Sequence, residues 1–417
     1  MDPLNTEGKI SLNRELPYVS ITEKGERAAR RGNPWVYADE VTFVHDGVVD
    51  GELVDVLTSK GRYMGTGFYN SNSKIRVRII SRNANDRFDP DFWSRRLRHA
   101  VDYRRTVMGE DFSCCRLIFG DSDLFPGLTV DRFGDVLVAQ TLTLGMEKLK
   151  TMLFSQLLSI LREYGCEINV IYERNDSKIR SLEGMQQYKD FFDAQGLTRT
   201  DGKTVITENG IDFEVDYVNG QKTGFFLDQK YNRAAIRRIA KGRRVLDCFT
   251  HTGAFALNAA AAGAERVTAV DISQDAIAMT RKNAERNRLS DRMEFVCTDV
   301  FELLTEEASK GKGKYDFIIL DPPAFTKSGS TVKSAQKGYK DINLRAMRML
   351  PRGGYLATCS CSHFMTDELF FEMVCSAAAD AGVTLRQIEA RQQAPDHPIL
   401  NTLPETGYLK FYIFQVF

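Results

Sequence analysis

Cysteine is not scarce in this chain, but it is never spaced for a metal. The eight cysteines stand at 114, 115, 166, 248, 297, 359, 361 and 375, with no C-x-x-C pair, and there are only five histidines. That spacing excludes the usual structural zinc sites, and no metal is expected. No run approaches about 18 uncharged apolar residues, which excludes a hydropathic membrane helix. The opening "MDPLNTEGKISLNRELP" lacks the apolar stretch of a signal peptide, so a cytoplasmic protein is expected. In such a compartment disulfides are not expected either, and most of the cysteines read as small buried hydrophobes. Net charge is absent as well. Lys+Arg and Asp+Glu both total 56, so no overall charge bias indicates a partner. Internal repeats and low-complexity segments are also missing.

What is present is a soluble globular composition, 43% hydrophobic and 27% charged, over 417 residues, enough for two or three domains. Positive charge is concentrated locally. Lys24, Arg27, Arg30 and Arg31 form one cluster, Lys74, Arg76, Arg78 and Arg82 a second, and Arg95, Arg96, Arg98, Arg104 and Arg105 a third. Each reads either as a solvated helix face or as part of a nucleic-acid footprint. Three in the first quarter of a neutral chain favour binding.

Residues 17–85 read as short strands broken by Gly, Asn and Asp, as in "GELVDVLTSKGRYMGTGFYN" and "KIRVRIIS", and predict a small β-rich barrel. From 88 to 202 the pattern becomes α+β. A helix carries Phe92, Leu97, Ala100, Val101 and Val107 on its apolar face, a hairpin turns at Phe133-Gly134-Asp135, and a second helix precedes "INVIYERN". Asn209-Gly210 between alternating runs predicts another hairpin. Beyond Arg243, five short strand candidates alternate with helices, and "VTLRQIEA" and "YLKFYIFQVF" follow, which predicts an α/β, doubly wound, mostly parallel sheet. The expected domains are 1–86, 87–202 and 203–417.

Ligands of such sheets sit beyond the carboxyl ends of the strands. There the chain places Asp247 followed by "CFTHTGAF" with its Gly253 turn, Asp271, Asp299, and Asp321-Pro322-Pro323-Ala324-Phe325. A carboxylate some two dozen residues after the first strand is placed to hold ribose hydroxyls, the expected role of Asp271. Asp299 is expected near an adenine edge, and Asp247 toward an amino-acid or sulfonium group. A dinucleotide would need G-x-G-x-x-G, which "DCFTHTGAF" lacks, so S-adenosylmethionine fits better. The prolines stiffen the strand exit after Asp321. Phe325 reads equally as a base-stacking ring or as core. Loops of the D-P-P-aromatic type point to a base as substrate.

"GGYLATCSCSHF" then brings Cys359 and Cys361 to the same edge as Asp321. The C5 of cytosine is a poor nucleophile, and a thiolate added at C6 would make it reactive by covalent catalysis. A free thiol with a pKa of about 8.5 needs help from its surroundings. His397 and Glu405, in the loop before the last strand, read either as substrate contacts or as an ordinary connection.

The order of "KG…RRGNPWVY", "DLFPGLTVDRFGD", "NGQKTGFFLDQKYNR", "LDCFTHTGAFAL", "DPPAF" and "SCS" resembles the bacterial 23S ribosomal RNA large-subunit methyltransferase I family over nearly the whole chain. The resemblance implies an N-terminal PUA domain, a central RNA-binding α+β domain and a C-terminal Rossmann-like class I methyltransferase domain with a seven-stranded sheet. It implies S-adenosylmethionine-dependent C5 methylation of a cytidine in 23S rRNA, and it is compatible with a homodimer. By it, Gln229, Arg233 and Phe249 join Asp247, Gly253, Asp271, Asp299 and Asp321 at the cofactor. Its S-C-S cysteine falls on Cys361, seven residues after Gly354, with Asp321 beside the cytosine ring. Cys359 stands where the family commonly has no thiol, and remains the rival nucleophile. Competing readings are N-methylation of a guanine or adenine through the D-P-P loop, an RNA-binding assembly protein without activity, and a small-molecule methyltransferase.

Overall fold

The computed structural model describes residues 16–326 and 328–417, so nearly all of the N-terminal stretch read for a leader lies outside the described residues. Contacts divide the chain into two units. The first holds the chain up to Thr204 with Val215–Phe225 and Pro395–Thr406, and the second holds the remainder.

In the first unit β1 (Tyr18–Ile21) leads to α1 (Glu23–Arg30), capped by the Thr22 hydroxyl accepting the Gly25 N–H at 3.2 Å. Then come β2 (Trp35–Tyr37), β3 (Val41–Val44), β4 (Leu53–Thr58), β5 (Tyr63–Tyr69) and β6 (Ile75–Ser81). They form one sheet in the order β2-β6-β5-β4-β1-β3. Register shifts interrupt the β1–β3, β2–β6, β4–β5 and β5–β6 pairings, and such bulges bend a sheet over its core. Val19, Ile21, Val36, Val54, Val56, Val77 and Ile79 fill that core.

The expected α+β region follows. α2 (Pro90–Met108) begins with Asp89 accepting the Phe92 N–H at 2.8 Å and Pro90 at the first helical position. β7 (Cys114–Phe119), β8 (Leu128–Phe133), β9 (Val136–Thr141), α3 (Leu144–Glu163), β10 (Val170–Asn175), α4 (Ile179–Leu182) and β11 (Tyr188–Phe191) complete it, with sheet order β11-β10-β9-β8-β7. Phe133 pairs with Val136 across the Gly134-Asp135 turn. The buried side of α2 differs from its predicted face. Val107 is half-buried, whereas Trp93, Arg104 and Met108 are buried.

Arg104 is buried because its charge is fully matched. It forms two bonds to Asp123, at 2.6 and 2.7 Å, and also donates to the carbonyls of Arg116 and Asp396. Arg116 grips Asp131 at 2.7 and 2.9 Å, and Asp131 also accepts the Thr223 hydroxyl. The two late segments, 215–225 and 395–406, are thereby tied into the first unit by buried charge. His397 belongs to this network, 2.8 Å from Asp396 and ring-packed on Phe119, while Glu405 lies exposed in a short 3-10 turn.

The basic clusters are largely spoken for as well. Lys24 pairs with Asp39, Arg30 with Glu26, Arg78 with Glu183, Arg98 with Glu163 and Arg105 with Asp102.

In the second unit the hairpin of β12 (Lys203–Glu208) and β13 (Ile211–Asp216) turns at Asn209 (φ 54°) and Gly210 (φ 75°), the left-handed pair a tight hairpin demands. The boundary between the units passes through this hairpin. α5 (Lys230–Ala240), β14 (Arg244–Cys248), α6 (Ala254–Ala261), β15 (Arg266–Asp271), α7 (Gln274–Arg286), β16 (Met293–Cys297), α8 (Val300–Lys310), β17 (Phe317–Leu320), α9 (Val332–Met349), β18 (Tyr355–Ser360), α10 (Asp367–Ala381), β19 (Leu385–Arg391) and β20 (Lys410–Val416) follow. The sheet order is β16-β15-β14-β17-β18-β20-β19, parallel except for β20, which runs antiparallel to both neighbours. The order reverses direction between β14 and β17, the switch point at which open α/β sheets leave a crevice. No helix among the described residues is long and apolar enough to cross a membrane.

Replacing Arg104 by Met would strand Asp123 without its partner. The first unit is expected to lose about 3–5 kcal/mol, the cost of breaking one side of a buried pair. Urea titration followed by intrinsic fluorescence checks this, and a midpoint unchanged from the parent would contradict it.

Candidate active site

Strand register collects the chemistry at one edge of the second unit. Cys248 pairs with Val270 and with Leu320, Leu320 with Thr358, and Asp271 with Cys297. Parallel strands in that register must release Asp271, Asp321 and Cys359 at nearly the same level, with Asp247 one residue below the end of β14.

Asp247 is buried, at 1% exposure. One carboxylate oxygen accepts the Thr250 hydroxyl at 2.5 Å and the Ala256 N–H at 2.9 Å. The other, Oδ1, has no partner among the described residues. An orphaned carboxylate oxygen is costly unless a donor or cation arrives. Desolvation, reinforced by the nearby charge of Asp321, lifts the Asp247 pKa to about 7.

The loop after Asp247 is conformationally committed. Phe249, His251 and Gly253 all have positive φ, at 63°, 51° and 83°. A Cβ on Gly253 would lie 2.6 Å from both Leu257 and Thr280 side-chain carbons, so only glycine fits. Asp271 holds the loop from the next strand, accepting the His251 N–H at 2.9 Å and the Ser273 N–H at 2.9 Å. Burial lowers the His251 pKa, which keeps its ring neutral at pH 7. The Phe249 ring leans on Phe301 at 6.4 Å.

Asp299 has a structural role as well as the expected place near the cofactor. Its Oδ1 caps α8, accepting the Phe301 and Glu302 N–H groups at 2.7 and 3.1 Å. Beside the Asp271 strand end, Ile272 is 68% exposed, an apolar side chain that the sequence reading passed over.

Asp321 takes a hydrogen bond from Gln229 Nε2 at 3.0 Å. Gln229 is itself oriented by Asn232, whose side chain donates to Gln229 Oε1 at 2.7 Å. Desolvation and the neighbouring Asp228 carboxylate push the Asp321 pKa to about 7, partly opposed by Arg233. Arg233 is buried and locked to Glu208 of the hairpin at 2.5 and 2.7 Å, and it also donates to the Phe226 carbonyl. Glu208 and Asp228, both buried, were invisible as site residues in the sequence. Phe325 packs on Tyr339 at 4.5 Å and on Phe301 at 5.8 Å, which answers its ambiguity in favour of packing.

The two cysteines differ sharply. Cys359 is fully buried inside β18, and burial followed by the Asp321 charge raises its thiol pKa well above the ordinary range. Cys361 lies just past the end of β18 and is partly exposed. Ser360, between them, donates to the Tyr339 hydroxyl at 3.1 Å, and Ser362 donates to the Thr326 carbonyl at 3.1 Å. The cysteine segment is thus fastened to the loop that follows Asp321. His397 and Glu405 belong to the first unit. Among the described residues no group of three or more His, Cys, Asp or Glu side chains could hold a metal ion.

Residues 182–414 match the family described as S-adenosylmethionine-dependent methyltransferase, and residues 19–82 match a PUA-like domain. Ribosomal RNA large subunit methyltransferase I of Escherichia coli O157:H7 is 39% identical over 402 residues, covering 95% of this chain and 98% of the relative. The same-named protein of Klebsiella pneumoniae (strain 342) is 37% identical over 406 residues, 96% of this chain and 98% of its own. SMU.776, assigned as a methyltransferase and solved complexed with SAH, shares the fold. Its TM-score is 0.81 at 20% identity, covering 95% of this chain and 99% of that one. A SAM-dependent methyltransferase from Streptococcus mutans superposes with a TM-score of 0.79 at 21% identity, with the same coverage.

The cofactor is therefore S-adenosylmethionine, and the strand edge suits it. Asp247 offers a carboxylate oxygen without a partner among the described residues, and the Gly253 turn closes tightly beside it. The sign of the pH dependence follows from Asp247 and Asp321. Below about pH 7 these carboxyls hold protons in the free protein, and a cationic ligand favours their ionised forms. Binding should then release protons below pH 7, and affinity should rise as pH increases toward 7 and level off above it. Calorimetry in two buffers of different ionisation enthalpy reads the proton count, and Asp247→Asn should reduce it. Gly253→Ala should weaken cofactor binding by about tenfold or more, since the left-handed turn and the close contacts cost about 1–3 kcal/mol.

Proposed function

The chain belongs to the ribosomal RNA large-subunit methyltransferase I family, and from that membership we propose that it methylates C5 of a cytidine in 23S rRNA, with Cys361 as the attacking thiol. The observation that carries the assignment of the nucleophile is the contrast between the two thiols. Cys359 is sealed in the strand, and Cys361 sits partly exposed at its end, on the same edge as Asp321.

Asp247, Asp271 and the Gly253 turn would hold the cofactor, with Gln229, Arg233 and Phe249 behind them and Asp299 at its rim. When bound, it supplies an electrophilic methyl group. The thiolate of Cys361 adds to C6 of the cytosine ring and breaks the C5–C6 double bond, giving C5 enamine character. Asp321, with a pKa of about 7, donates a proton to the ring as negative charge develops there and takes it back on elimination. Once C5 carries the methyl group, its proton passes to water and the thiolate departs, which restores the aromatic ring and frees Cys361. In this reading the PUA-like domain extends through residue 86 and a central domain spans 87–202. Both hold RNA through phosphate contacts, so binding weakens with salt, and they help to offset the few kcal/mol of extruding the target base.

Labelled methyl transfer from S-adenosylmethionine to protein-free 23S rRNA, followed by nucleoside mass spectrometry, should yield 5-methylcytidine. Cys361→Ala should reduce the rate by more than about a thousandfold, in line with the loss of a covalent nucleophile. Cys359→Ala should stay within about tenfold of the parent, the scale of a buried supporting side chain. RNA carrying 5-fluorocytidine should trap the parent protein covalently and leave Cys361→Ala free. Label on a purine, or activity in both cysteine variants, would replace this chemistry with N-methylation at the D-P-P loop.

A further inference from the structure

A thiol that must attack a pyrimidine needs a reason to ionise, and none of the residues assigned so far supplies one. Asp321, beside the cysteine segment, opposes it. The fold places one cation at the right position. Lys410 is the first residue of β20, and the antiparallel pairing sets it directly opposite Ser360. Its Nζ donates to the Ser362 carbonyl at 2.5 Å and to the Tyr408 carbonyl at 2.8 Å. The amine is therefore pinned by strand pairing on one side of Cys361 and by a hydrogen bond on the other. It is buried, at 6% exposure, where a lysine is rarely found without a task.

We propose that Lys410 is the positioning residue that ionises Cys361, taking the thiol proton and holding the resulting thiolate as an ammonium–thiolate pair. This rests on the reading of Cys361 as the nucleophile. The step is a proton transfer from Sγ–H to a neutral Nζ, giving S⁻ and NH₃⁺ with nothing else gained or lost. Two N–H bonds of the neutral amine satisfy the two carbonyls, and its lone pair is left for the proton. Burial lowers the Lys410 pKa to about 8, opposed by the charges of Cys361 and Asp367. Other groups face Cys361 or its partner. Cys359 lies on β18, Asp321 at the end of β17 and Tyr339 on α9, its phenol pushed up to about 12 by burial. Asp367 at the start of α10 accepts the Tyr412 hydroxyl at 2.7 Å.

The test is the pH dependence of iodoacetamide alkylation at Cys361, mapped by tandem mass spectrometry in the full-length protein without RNA or cofactor. Lys410→Met keeps the apolar stem and removes the amine. It should shift the Cys361 profile upward by at least one pH unit and slow alkylation at pH 7.5 about tenfold, since one unit changes the thiolate fraction tenfold. Lys410→Arg should recover most of that reactivity, although arginine holds the charge without accepting the proton. Cys297 and Cys375, which are exposed, serve as internal references and should keep their profiles. An unshifted Cys361 profile in Lys410→Met, whatever happens to methyl transfer, would overturn the proposal and reduce Lys410 to a strand anchor. If instead the profile shifts but Cys361→Ala still methylates RNA, the lysine–thiol pair stands and the assigned nucleophile falls.

Discussion

Desolvated negative charge is the constraint on which the catalytic unit depends. Asp228, Asp247 and Asp321 converge on one edge of a parallel sheet, and burial leaves too little water there to ionise them cheaply. The surrounding side chains divide the work. Thr250 and the Ala256 N–H satisfy one oxygen of Asp247, Gln229 donates to Asp321, and the Tyr408 hydroxyl donates to Asp228 at 2.5 Å. Arg233 brings the compensating cation, but it is already locked to Glu208. The edge thus keeps an unpaid demand for positive charge, which a sulfonium ligand can meet.

The same constraint separates the two thiols. Inside β18 a thiolate at position 359 would face Asp321 with no water and no cation. One residue past the strand, position 361 reaches partial exposure and comes under the amine of Lys410. Two thiols two residues apart are thus given different surroundings by where the strand stops, one sealed and one partly exposed. Tyr339 and the Thr326 carbonyl, fastened to Ser360 and Ser362, hold that stopping point still.

In the first unit, charge is used for cohesion. The arginines of α2 and of the six-stranded sheet look in sequence like a nucleic-acid footprint, yet several are consumed internally. Arg104 is wholly buried on Asp123, Arg116 grips Asp131, and Arg78 pairs with Glu183. Buried pairs of this kind are expensive to break and confer little net stability when intact, so they act chiefly to fix which segments meet. Here they bind two segments remote in sequence, 215–225 and 395–406, into the unit.

Local signals carried much of the reading. The Asn209-Gly210 hairpin, the Gly134-Asp135 turn, the Asp89-Pro90 helix start and the seven strands beyond Arg243 all rest on short-range preferences, which survive without knowledge of the neighbours. The carboxylates Asp247, Asp271 and Asp321 were recognisable because a parallel sheet delivers its strand ends to one edge whatever packs around them. The sequence by itself therefore determined the fold class and which carboxylates and cysteines stand at the strand ends. It did not determine that Asp299 caps a helix, that Phe325 packs against Tyr339, that Glu208 anchors Arg233, or that Lys410 bonds the Ser362 carbonyl. The last two depend on hydrogen bonds between residues 25 and 48 positions apart. Burial and register across such distances arise only when the sheet is assembled.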